Sequence, residues 1–225
     1  MRVLIDLLHE LYNNIGITGN MPESQRNAII VLLFKKGDHR LLKNWRPVSL
    51  LNVDYKILSK IMTNRLSKVM SKLIPIEQKC GVQGRQMTDI IRNLDTISED
   101  MNTTGGFLIC LDQEKAFDRI NHEYMFMILE KMGFSGRFLK TVSAMYNRIT
   151  SQVNINGALT NKISIQRSIR QGCAFSMLLF VLVSVPLIEM IKDSKEISGY
   201  TTIRISNLEI TKSKYKVTQT TILYL

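Results

Sequence analysis

The stretch FLICLDQEKAFDR, Phe107 to Arg119, is the one around which the rest of the chain arranges itself. Five apolar residues, Phe107 to Leu111, end on Asp112. A run that short and that apolar reads as a buried strand. Such a strand delivers a carboxylate at its C-terminal edge, where it meets solvent. Mg²⁺ takes one or two carboxylates together with phosphates and waters, so Asp112 suits a hard cation. The alternative is that Asp112 caps the helix that follows. Phe117 and Asp118 come five and six positions later.

Downstream lies RSIRQGCAFSMLLF, Arg167 to Phe180, a basic, glycine-containing turn running into an apolar helix from about Ser176. Backbone amides at such a turn, with Arg170 and Gln171 beside them, suit a nucleotide or a template strand. An ordinary helix start, with Gly172 easing the turn, is the other reading. Upstream lies KKGDHRLLKNWRPVSLLNVDYKILSKIMTNRL, Lys35 to Leu66, in which Lys and Arg interleave with Trp45 and Tyr55. Cations with aromatics suit a phosphate backbone or a triphosphate. A solvated helix face accounts for most charge runs, but Arg46-Pro47 in a rigid turn favours a placed guanidinium.

The remaining elements follow from spacing. Leu4, Leu7, Leu8 and Leu11 repeat as on a helix that Gly16 and Gly19 end. Ala28 to Phe34 reads as a buried strand closed by Lys35-Lys36-Gly37-Asp38. Tyr55, Leu58, Ile61, Met62, Leu66 and Val69 mark an amphipathic helix stopped near Pro75. Thr88 to Met101, His122 to Met132 and Arg137 to Tyr146 read as helices. Gln152 to Ile155, Asn156-Gly157 and Leu159 to Ile165 read as a hairpin, because Asn-Gly suits a type I′ turn. Thr202-Ile203-Arg204-Ile205 alternates, and Thr221 to Leu225 reads as a final strand. Helices and strands mix without regular alternation, which makes the class α+β or α/β, with a partly antiparallel sheet.

Composition bounds the function. The chain has 225 residues, 45% hydrophobic and 22% charged, which excludes wholesale disorder. A net charge of +11 points to a polyanionic partner or an anionic membrane surface. Three scattered cysteines, Cys80, Cys110 and Cys173, exclude a disulfide scaffold and suit a reducing compartment. The most apolar stretch, Met177 to Ile191, is shorter than the roughly 20 residues a bilayer crossing needs, so no membrane partner is expected. His9, His39 and His122 lie far apart, and there is no G-x-S-x-G elbow, Walker loop or G-x-G-x-x-G.

Four blocks in order, KKGD…NWRPVSLLNVDYKILSKIMTNRL, EQKCGVQGRQMTDII, LDQEKAFDRINH and RQGCAFSMLLF, resemble the reverse transcriptase domain of non-LTR (LINE-type) retrotransposons. The resemblance covers roughly residues 21 to 225, after a helical lead-in over 1–20. It implies a right-hand polymerase, with fingers over roughly 21–104, a partial palm over roughly 105–225 built on an antiparallel sheet, and no thumb. It implies an RNA template, a DNA primer and deoxynucleotides as partners, Mg²⁺ as cofactor, and an intracellular, nuclear location. By the family's pattern Asp112 is the first metal carboxylate, with the backbone of Gln113 beside it. Phe117 sits under the sugar and excludes a 2′-hydroxyl. Arg46, with Lys35 or Lys36, faces the triphosphate, Gln171 and Gly172 line the nucleotide and template pocket, and Gly84 and Arg85 lie near template or primer.

The family's next block is a Tyr-Ala-Asp-Asp turn, and here the chain departs from it. The tail reads YKVTQTTILYL. Anchoring on Tyr215 places Val217 and Thr218 at the aspartate positions; anchoring on Thr220-Thr221 places Thr218 and Gln219 there. After Glu209, the last 16 residues contain no Asp or Glu. Ala174 and Met177 replace two prolines of the nucleotide-site block. The expectation is therefore a degenerate or partial copy without polymerase activity, the alternative being a non-catalytic RNA- or DNA-binding remnant or a pseudogene product.

Overall fold

In the computed structural model, which describes residues 2–104, 111–195, 200–206 and 209–215, the apolar run after Arg26 is strand β1 (Asn27–Phe34). The chain reverses where Gly37 takes φ +92°, a left-handed value that glycine adopts without a Cβ clash. It returns as β2 (Trp45–Leu50), antiparallel to β1 from Ile29 opposite Leu50 to Phe34 opposite Trp45. Arg46-Pro47, expected in a turn, therefore lies within a strand, with Pro47 opposite Leu32. β2 tolerates proline because it is the outer strand of its sheet, with no further strand for a donor at Pro47 to pair with.

On the other side of β1 lies β3 (Thr150–Ile155), running parallel to it, with Asn27 opposite Thr150 and Ile30 opposite Val153. At Asn156 and Gly157 φ is +51° and +89°, both positive as a type I′ turn demands, so the expected hairpin forms. Its return strand is split into β4 (Ala158–Leu159) and β5 (Ile163–Ser164), each antiparallel to β3. Thr160 marks the break: its hydroxyl accepts from the Val153 N–H (3.0 Å) and its own N–H donates to the Val153 carbonyl (3.0 Å). The five-stranded sheet, β2-β1-β3-β4 with β5 on β3, is thus mixed rather than antiparallel. The parallel pair is possible because a long crossover separates β1 from β3.

The helices are α1 (Arg2–Thr18), α2 (Glu23–Arg26), α3 (Val53–Leu73), α4 (Thr88–Thr104), α5 (His122–Lys131), α6 (Gly136–Tyr146) and α7 (Ala174–Asp193). The chain divides into two units, residues 1–68 with 115–183 and residues 69–114 with 184–225, so each unit draws on both sides of residue 104.

In the first unit, Tyr55, Leu58, Met62 and Leu66 of α3 are buried at spacings of three and four, each worth roughly 1.5–3 kcal/mol of burial. The stripe continues on Met70, in the second unit, and not on Val69, which is 40% exposed. Asn121 and Ser135 cap α5 and α6, their side chains accepting from Tyr124 N–H (3.2 Å) and Phe138 N–H (3.4 Å). α1 departs from its expected packing. Leu4 and Leu7 are exposed, Ile15 is the buried apolar residue, and Gly16 lies inside the helix. A Cβ on Gly16 would come within 3.2 Å of the Arg137 Nε, so its bareness lets α6 approach. Gly19 ends α1, at φ +72° with its N–H on the Ile15 carbonyl (2.9 Å).

α7 starts two residues before the expected Ser176, and Pro186 lies inside it. Its 20 residues are long and apolar enough to cross a membrane, which the shorter run read from the sequence was not. In the first unit, Phe175, Leu178, Leu179 and Leu182 of this helix are nevertheless core residues, at most 2% exposed.

In the second unit, the alternating segment forms β6 (Tyr200–Ser206), antiparallel to β7 (Glu209–Tyr215). Most of the expected strand Phe107–Leu111, Cys110, and the tail positions Val217 to Leu225 lie outside the described residues.

Candidate nucleic-acid interface

Within the first unit, the segment from Arg167 to Gly172 is stitched to its surroundings main chain first. Ser168 donates its N–H to the Ile120 carbonyl (2.9 Å), and Ile169 donates to the Phe117 carbonyl (2.9 Å). Ser168 has φ +93°, a conformation L residues rarely adopt and one that must be held from outside. Its hydroxyl donates to Asp118 Oδ1 (3.2 Å), and its carbonyl accepts from His122 Nε2 (2.9 Å), which makes Nε2 the protonated nitrogen. Burial first, and the nearby Arg170 charge after it, push the His122 pKa below its ordinary value of 6.5, against the opposing pull of the Ser168 carbonyl.

The sequence pattern places Arg170 beside a nucleotide or a template strand. It is 5% exposed, its guanidinium donates to the Gln25 (3.4 Å) and Arg26 carbonyls, and it lies 5.0 Å from the centre of the Tyr55 ring. It holds the start of β1 against α3 and faces no solvent. Beside it in sequence, Gln171 is half-buried and Gly172 is exposed. The Gln171 carbonyl accepts the Ser49 N–H (3.0 Å), its side chain reaches Asp118 Oδ1 (3.4 Å), and Gly172 has φ +103°. A Cβ on Gly172 would lie 2.7 Å from the Ser49 carbonyl oxygen, so the turn presses directly on β2.

Phe117 is half-buried and stacks on Phe180, centroids 5.1 Å apart and planes 18° from parallel. It lies in a single 3-10 turn, Ala116–Arg119, entered through Lys115 at φ +53° with no side-chain cap. Lys35, Lys36 and Arg46 are exposed at the loop end of the β1–β2 hairpin, with Arg46 opposite Leu33. The structure thus gathers the Gln171–Gly172 turn onto the strand that carries Arg46.

Asp112 and Gln113 are exposed in the second unit, and Asp112 caps no helix among the described residues. Among those residues, no three His, Cys, Asp or Glu side chains group so as to hold a metal ion. After Glu209 the given sequence carries no Asp or Glu. Gly84, also in the second unit, has φ +81° with open space around it. Arg85 is not a free cation. Its guanidinium donates to the carbonyls of Ser71 (3.3 Å), Ile74 (2.8 Å), Pro75 (2.5 Å) and Gln78 (2.7 Å), closing the C-terminal end of α3.

Sequence reasoning missed the Asp118–Ser168–His122 linkage and the burial of Arg170. A serine at positive φ leaves no mark in the sequence, and His122 was legible only as the first residue of its helix.

The reverse transcriptase (RNA-dependent DNA polymerase) family matches residues 34–203. The chain is 40% identical over 184 residues to the transposon TX1 uncharacterized 149 kDa protein of Xenopus laevis. It is 23% identical over 185 residues to the retrovirus-related Pol polyprotein from type-1 retrotransposable element R2 of Popillia japonica, and 24% identical over 177 residues to that from type-2 element R2DM of Drosophila melanogaster. These matches take in 79–81% of this chain but only 14%, 26% and 17% of the three relatives. Its ordered sequence blocks, its mixed α+β fold and these relatives together make the chain a member of the reverse transcriptase family, of the kind found in non-LTR retrotransposons.

Proposed function

We propose that this domain binds a template strand and nucleotide phosphates without extending a primer. The observation that carries the binding half is the seating of Gln171 and Gly172 on Ser49, which ties the nucleotide-side turn to the strand bearing Arg46. In this reading the β1–β2 hairpin belongs to the fingers. Arg46 with Lys35 or Lys36 meets the triphosphate, and Phe117, propped on Phe180, lies under the sugar, where its ring leaves no room for a 2′-hydroxyl. Gln171 and Gly172 border the pocket. Partners are an RNA template, a DNA primer strand and deoxynucleotides, met where the family works on genomic DNA, in the nucleus.

The non-catalytic half rests on chemistry. Two close divalent cations bring four positive charges and need several carboxylates in fixed geometry, whereas the tail offers Val217, Thr218 and Gln219 where acids are expected. Asp112 with the Gln113 backbone remains as one side of a cation site.

The test is primer extension on an RNA template with Mg²⁺ or Mn²⁺, beside Asp112→Ala. Neither protein is expected to extend. Both should bind template with an affinity that falls with salt, at a slope of about 0.7 per phosphate contact. Extension that is lost in Asp112→Ala sinks the non-catalytic half, and binding indifferent to salt sinks the other.

A further inference from the structure

The tip of the β1–β2 hairpin carries three aromatic rings. His39 lies on Phe34 with centroids 3.5 Å apart and planes 15° from parallel, and Trp45 meets both edge-on at 5.5 and 5.9 Å. The loop between them is held by its own hydrogen bonds. Trp45 Nε1 donates to the His39 carbonyl (2.9 Å), Asn44 to the Asp38 carbonyl (2.8 Å), the Arg40 N–H to Asp38 Oδ1 (2.9 Å), and the Lys35 N–H to the Asn44 carbonyl (2.9 Å). With the loop so fixed, the rings are not needed as a buried plug. They are not one: His39 is exposed, Phe34 is 37% exposed, and Trp45 is half-buried.

The same loop and its flanking strand ends carry Lys35, Lys36, Arg40, Lys43 and Arg46, all exposed, and Asp38 is the only acid between Lys35 and Arg46. None of the five cations is in an ion pair among the described residues, and the one acid is already engaged by the Arg40 N–H. Exposed flat rings in a loop that carries unpaired cations match a flexible polyanion with flat apolar groups. Bases stack on such rings whatever their identity, and cations follow the phosphates between them. An apolar protein partner would leave the five charges without counterparts.

We propose that Phe34 and His39 form a stacking platform for an unpaired base of single-stranded nucleic acid, with Lys36, Arg40 and Lys43 on the flanking phosphates. The platform builds on the nucleic-acid-binding reading above and adds to it a place where the strand is gripped by its bases. Trp45 is the chain's only tryptophan, so its fluorescence reports on the tip.

The experiment titrates the full chain with a single-stranded oligonucleotide and with one of equal length whose sugars carry no bases, following Trp45 emission and anisotropy of the labelled strand. The base-bearing strand is expected to bind about tenfold more tightly and to change Trp45 emission. That preference should vanish in His39→Ala and return in His39→Phe, both at an exposed position where the fold is not at stake. Equal affinity for the two strands, or a preference that survives His39→Ala, overturns the platform and leaves phosphate binding standing. Displacement of the strand by a mononucleotide at equal base concentration also overturns it, since the rings would then serve a free nucleotide. Binding of neither strand overturns the platform and the nucleic-acid-binding reading together.

Discussion

Gly172 lies so close to the carbonyl oxygen of Ser49 that a single added carbon would stand 2.7 Å from it. At that distance the backbone of β2 has to shift, and φ +103° adds conformational strain for any side chain. Gly172→Ala is expected to cost about 1–3 kcal/mol in urea unfolding. Gly84→Ala, at φ +81° with open space around it, carries the strain alone and should cost about 1 kcal/mol. Equal losses in the two variants would mean that the Ser49 contact relaxes freely.

Arg170 is expected to matter through folding. Replacing it with Met keeps much of the volume but leaves the Gln25 and Arg26 carbonyls without a donor and Tyr55 without its cation. A loss of about 3 kcal/mol follows from orphaned buried groups of this kind. Arg170→Lys keeps the charge without the planar fork, and should recover only part of it. The denaturation midpoint checks both, and a wild-type midpoint for Arg170→Met would return Arg170 to the surface.

Much of the local structure was legible because it is written in short patterns. Asn156-Gly157 specified its turn by residue type, Ala28 to Phe34 its strand, and the spacing from Tyr55 to Leu66 its helix face. What could not be read depends on partners far along the chain. Nothing near Asn27 announces a parallel neighbour at Thr150, and a proline in a strand becomes acceptable only once that strand is known to be an edge. The leucines of α1 show which face is apolar, but not that Leu4 and Leu7 go uncovered. Cations were the hardest to place. Arg46, Arg85 and Arg170 look alike in sequence, yet the first is exposed and the other two are spent on carbonyls. A helix end and a phosphate ask for the same guanidinium.

Arg85 offers the clearest separation of those two roles. Its four carbonyl partners all belong to the end of α3 or the loop after it. Arg85→Ala is therefore expected to lose about 1.5–3 kcal/mol of stability. Under conditions where the variant is folded, its salt slope for single-stranded template should equal that of the wild type. A slope smaller by about 0.7 at unchanged stability would instead make Arg85 a phosphate contact.

His122 makes stability depend on pH in a direction that can be worked out. Burial holds its pKa below 6.5 in the folded chain, and unfolding restores the ordinary value. Between the two values the unfolded state binds more protons than the folded one, so stability rises with pH across that window. The contribution is complete above about pH 6.5 and is lost as pH falls toward the lowered folded value. The Nε2 proton also holds the carbonyl of Ser168 at its φ of +93°, so protonating the ring keeps that bond while placing a charge near Arg170. The cost on acidification is thus charge burial and not a lost hydrogen bond. His122→Gln, which has a donor but no titration, should flatten the dependence of the urea midpoint on pH below 6.5. A midpoint that falls just as steeply in His122→Gln would assign the acid sensitivity to other groups.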